Sequence, residues 1–158
     1  MKKVIIFIAI MVVMCSCDNQ EKIQNEVNAA IEQCEYFEKE CVIEHAREDA
    51  DEICKAIEKR KKTLNLEDKK KLVERDADLI LSKCFDSLFE KYGEKKVMDA
   101  IIKFASTKTY KNIGIASKDD FYSMIRTNII LNYANKLASN IEMKASELKY
   151  DNIMKRIN

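Results

Sequence analysis

The chain has 158 residues, with 28 Lys and Arg against 27 Asp and Glu, no proline, no tryptophan and only two glycines, Gly93 and Gly114. A charge this balanced offers no electrostatic case for nucleic acid, whose partners carry basic domains. So few turn residues leave no punctuation for a strand-rich fold, and the composition reads as all-α.

The N-terminus stands apart from the rest. Lys2 and Lys3 precede eleven apolar residues, Val4 to Met14, and a short basic segment followed by an apolar run of about 7–15 residues is the layout of a secretory signal peptide. A membrane-spanning helix needs about 20 apolar residues, and a core helix would show a polar face, which this run lacks.

The junction "MCSC", Met14 to Cys17, resembles the lipobox of bacterial lipoproteins. Ser16 supplies the small residue before the modified cysteine, whereas bulky Met14 precedes Cys15, so Cys17 is the position that fits. Cys15, at the second lipobox position, departs from the usual small or β-branched residue. The resemblance covers only about the first 17 residues. It implies a signal peptide over 1–16, a diacylglyceryl group on the Cys17 thiol, cleavage before Cys17 and acylation of the new amine. It also implies a membrane-anchored location on the exported face. One acyl chain binds a bilayer only marginally, so two or three are needed for a stable anchor. Asp18, next in line, resembles an inner-membrane retention signal of enteric-type lipoproteins. Removal of residues 1–16 leaves 26 basic against 27 acidic residues, a net charge of −1, on a single helical domain over 17–158, long enough to bury a core.

Four helices follow in chain order, over about 19–62, 66–92, 94–107 and 118–150, which suits an antiparallel bundle with a long first helix. In the first, Ile23, Val27, Ala30, Cys34, Phe37 and Cys41 recur at heptad spacing. The stripe then slips to Val42, Ala46, Ala50, Ile53 and Ile57, and a kink near Cys41 to His45 is one way to absorb the slip. Asn65 caps the second helix, with Glu67 and Asp68 in its first turn. Its apolar set is Val73, Ala77, Ile80, Leu81, Cys84, Phe85, Leu88 and Phe89, and Gly93 ends it. The third helix offers Val97, Ile101, Phe104 and Ala105. Ser117 opens the fourth, with Asp120 in the capping-box position, and its stripe is Tyr122, Ile125, Ile129, Tyr133, Leu137 and Ile141.

Four cysteines remain after cleavage: Cys34, Cys41, Cys54 and Cys84. An even set in an exported protein invites disulfides. Cys34 and Cys41 are two helical turns apart, about 10 Å, beyond the roughly 7 Å reach of a bridge. A hairpin turning near Leu64 places Cys41 closest to Cys84, a bridge contributing roughly 3–4 kcal/mol; a second pair, Cys34 with Cys54, requires a bend in the first helix. The alternative is four small apolar core residues.

Cys41 and His45, four apart on one helix face, also have the spacing of two metal ligands, with Cys84 as a third. No CxxC or HExxH motif accompanies them, and His45 is the single histidine, so no metal or other cofactor is expected beyond the lipid on Cys17. No catalytic residues are expected either: no GxSxG, SxxK or glycine-rich phosphate loop occurs, and His45 is the one imidazole able to serve as a base. Lys59, Arg60, Lys61 and Lys62, with Lys69, Lys70 and Lys71, crowd the first hairpin tip. Basic residues at a helix C-terminus favour the dipole, but those at 69–71 lie near a helix start. That tip is therefore a candidate contact for an anionic partner. The function expected is a lipid-anchored envelope protein that binds another macromolecule, as an assembly accessory, an exclusion or immunity factor, or a surface interaction protein; a helical carrier of a ligand or metal is the alternative.

Overall fold

A computed structural model describes the backbone of residues 2–59, 65–107 and 114–157, and the side chains of 19–59, 65–107 and 114–152. The chain is all-α, with no strand among the described residues. Its helices are α1 (Lys2–Glu58), α2 (Leu66–Leu81), α3 (Ser87–Tyr92), α4 (Glu94–Thr107) and α5 (Lys118–Ile157), and a π-helical turn, Ser82–Asp86, joins α2 to α3. They fall into two compact units. One holds Met1–Cys34 and Leu81–Phe121, the other Glu35–Ile80 and Tyr122–Asn158.

The helix ends are set by local chemistry. Asn65 Oδ1 accepts the Glu67 amide at 3.2 Å, and the Asn65 carbonyl accepts that of Asp68 at 3.1 Å. Ser117 Oγ accepts the Asp120 amide at 3.1 Å, while Asp120 Oδ2 reaches back to the Ala116 amide at 3.2 Å. Asn65 and Ser117 thereby each satisfy an amide that the first helical turn leaves without a partner. At Gly93 the backbone takes φ of 81°, and its amide donates to the Phe89 carbonyl at 2.9 Å, so glycine is used there for its freedom at positive φ.

The first unit packs the N-terminal part of α1 with the π turn, α3, α4 and the start of α5. Ile23, Val27, Ala30 and Cys34 form the buried stripe of α1. The π turn adds one residue to a turn, and both Cys84 and Phe85 are buried within it. Phe85 meets Phe121 edge-on, ring centroids 5.1 Å apart. Gln24 Nε2 donates to the Ala100 carbonyl at 2.9 Å, and Lys91 pairs with Glu26 at 2.9 Å. Met98 and Ala100 are buried beside Val97 and Ile101 on α4, whereas Phe104 and Ala105 are half-buried.

The second unit is three-stranded in helices. His45 pairs with Asp76, and Asp49 and Glu52 pair with Lys69, so α2 runs antiparallel to α1. Glu38 meets Asn132, Asp49 meets Tyr133 and Asp51 meets Lys144; both numbers rise together, so α5 runs parallel to α1. The core they enclose is Val42, Ala46, Ala50, Val73, Ala77, Ile129, Tyr133 and Leu137. Fully buried alanines at 46, 50 and 77 keep the side chains at these helix contacts short, which sets a close spacing between axes.

Several sequence expectations meet detail here. The helix expected over 66–92 is α2, the π turn and α3 in succession. The first helix is unbroken through Cys41 to His45, and the stripe slips as α1 leaves one unit's core for the other's: Cys34 and Val42 are buried, Phe37 and Cys41 only half so. Ile57, expected on that stripe, is 58 % exposed one residue from the helix end.

Candidate functional site

Among the described residues, a cysteine, a histidine and an aspartate converge in the second unit. Cys41 and His45 sit one turn apart on α1, and α2, running the other way, brings Asp76 against them. Cys41 Sγ, a His45 ring nitrogen and an Asp76 carboxylate oxygen all lie within 4.8 Å of one another, each residue half-buried. His45 Nε2 stands 2.9 Å from Asp76 Oδ2. A carboxylate only accepts, so this nitrogen carries the proton in the pair. The other carboxylate oxygen, Oδ1, receives both Arg75 Nε at 3.2 Å and an Arg75 terminal nitrogen at 3.1 Å.

Electrostatics around the trio follow from that packing. Burial raises the Cys41 thiol, and the charges of Asp76, Glu44 and Glu38 add to the effect, up to about 11. The group is a neutral thiol at pH 7, without the lowered pKa of an activated nucleophile. Burial also works against the Asp76 carboxylate, but hydrogen bonds from His45 and Arg75 outweigh it and hold the group below its ordinary range.

One turn further along α1, Asp49 is 4 % exposed yet fully engaged. It accepts the Tyr133 hydroxyl at 2.8 Å and Lys69 Nζ at 2.8 Å, and Lys69 also reaches Glu52 at 2.8 Å. Burial first, then the neighbouring Asp49 carboxylate, pushes the Tyr133 phenol upward. The two acceptors hold the Lys69 ammonium above its usual value. Lys69 therefore works inside the unit. Lys70 stands 3.7 Å from Glu74, Lys71 and Lys59 are exposed, and Arg60, Lys61 and Lys62 lie outside the described residues.

No disulfide is formed among the described cysteines, Cys34, Cys41, Cys54 and Cys84. In the first unit Cys34 hydrogen-bonds with Cys84, both nearly fully buried. Cys41, the partner favoured for Cys84 from the hairpin register, and Cys54 belong to the second unit. The third group that the second unit brings beside Cys41 and His45 is Asp76. Nothing in the sequence singles out Asp76 among 27 acidic residues without the true α1–α2 register. The side chain of Cys17 lies outside the described residues, and among these no helix is long and apolar enough to cross a membrane. A groove of about 300 Å³ in the first unit is lined by polar Asn19, Gln24, Lys96, Asp99 and Lys103 together with Ile23. Comparison of the chain with protein-family models, with curated proteins and with solved structures finds no match.

Proposed function

We propose that the protein is a lipid-anchored helical component of a bacterial envelope, held by acyl chains on Cys17, that acts without catalysis by binding another macromolecule. The observation that carries this reading is the run from Lys2 to Cys17: two lysines, eleven apolar residues and the "MCSC" junction. Downstream, long amphipathic helices offer extended surfaces of the kind that recognise partner proteins. Apolar Tyr36 and Ile43 are 58 % and 51 % exposed and seven residues apart, hence on one face of α1. Lys59, Lys70 and Lys71 supply positive charge free of the buried Asp49 network, which makes an acidic protein surface the matching partner.

Growth with a tagged fatty acid tests the anchor. The wild-type chain takes up label and sediments with membranes, and Cys17→Ala loses both properties; label retained in Cys17→Ala overturns the assignment. In-cell crosslinking tests the partner: charge reversal at Lys70 and Lys71 should reduce the yield of a discrete adduct, with Lys69 left in place because it serves the core. The alternative, a helical carrier, is favoured by one feature, the Cys41–His45–Asp76 cluster.

A further inference from the structure

We propose that Cys41, His45 and Asp76 form a binding site for one divalent transition-metal ion of the zinc class, independent of whether Cys17 is acylated. The three donor atoms already converge, none more than 4.8 Å from another. In a tetrahedral zinc site, bonds of about 2.0–2.1 Å to nitrogen and oxygen and about 2.3 Å to sulfur put ligand atoms roughly 3.3–3.6 Å apart. Closing the cluster on an ion therefore takes side-chain adjustments of about an ångström, with both helices left in place.

The donor set chooses the metal. One sulfur, one imidazole nitrogen and one carboxylate oxygen suit zinc, cobalt and nickel; calcium and magnesium prefer all-oxygen shells. With the thiol deprotonated, thiolate and carboxylate together neutralise a 2+ ion; the thiol proton passes to solvent as the sulfur–metal bond forms, and the His45 ring proton moves from Nε2 to Nδ1 so that Nε2 can ligate in place of its hydrogen bond to Asp76. Glu38 and Glu44, whose charges reach Cys41, add to the attraction. Arg75 fixes the carboxylate through Oδ1 and leaves Oδ2 facing His45, the arrangement by which an outer neighbour orients a ligand. Half-burial of all three residues leaves the site open to ions, with a fourth position available to water or to a partner's side chain. The His45–Asp76 hydrogen bond alone accounts for two of the residues; a shared ion accounts for all three.

The test is titration of the untagged, reduced full chain with Co²⁺, followed by Zn²⁺. One Co²⁺ per chain should bind with a thiolate-to-cobalt charge-transfer band in the near ultraviolet and tetrahedral bands in the visible, and Zn²⁺ should bleach both. Cys41→Ser should abolish the charge-transfer band, and His45→Gln and Asp76→Asn should each weaken binding by about tenfold or more. Cys54→Ser should leave the spectrum unchanged. Circular dichroism melts of the metal-free variants establish that each is folded. Absence of the band in the folded wild type, or a band that survives in folded Cys41→Ser, overturns the site.

Discussion

Replacing Tyr133 by Phe removes one hydroxyl from the centre of the second unit and keeps the ring in its place. In the native chain that hydroxyl donates to Asp49 Oδ2 at 2.8 Å, with both residues at most 5 % exposed. Asp49 retains Lys69 at 2.8 Å, so its charge stays compensated and the loss is confined to one hydrogen bond to a charged acceptor, about 1.5–3 kcal/mol. The space vacated by one oxygen is small for a replacing water, which favours a value near 2 kcal/mol. With a urea slope of about 2 kcal/mol/M for a domain of this size, the midpoint should fall by about 1 M. pH supplies an independent reading. Because the phenol pKa is raised in the folded state, the folded chain holds that proton more firmly than the unfolded one. The associated stability is complete below about pH 10, the unfolded value, and is lost as pH rises toward the folded value. Urea melts of wild type and Tyr133→Phe at pH 7 and pH 10.5 should therefore show the gap between them narrowing at the higher pH. A midpoint shift under about 0.2 M at pH 7, or a gap that is the same at both pH values, would refute the reading of this network.

Two further outcomes test local features. Gly93→Ala should destabilise by about 1 kcal/mol in urea melts through its backbone alone, because φ is 81° and no atom lies within 4 Å of the added methyl; an unchanged midpoint would contradict the cap. Glutathione disulfide added to the reduced chain should oxidise Cys34 and Cys84 to a disulfide two hydrogens lighter, with two glutathione thiols released, and peptide mapping should find Cys34 rather than Cys41 attached to Cys84.

What could be read from sequence was what short-range chemistry decides. Asn65, Gly93 and Ser117 mark helix ends because capping groups act within one turn of chain. The apolar stripes were legible because burial follows helical periodicity. The α1–α2 register was not, since nothing local fixes how many residues a hairpin turn consumes. A turn near Leu64 would set Cys84 opposite Cys41. The pairs His45–Asp76 and Asp49–Lys69 instead centre the hairpin at about residue 60, about two helical turns of register away. That difference brings Asp76 to His45, and brings Lys69 from the outer tip to Asp49. The slip of the α1 stripe between Cys34 and Val42 was visible, but its cause, passage between two cores, required the packing partners. The π turn at Ser82–Asp86 leaves no mark in a pattern of apolar residues that fits an ordinary helix equally well.

Lipid anchoring is the claim on which the function rests, and intact-mass and peptide mass spectrometry of the protein extracted from its membrane reads it directly. The account predicts a mature chain beginning at Cys17, with a diacylglyceryl thioether on that residue and a further acyl group on its amine. A chain that retains residues 1–16, or one that begins elsewhere with an unmodified Cys17 thiol, would contradict it.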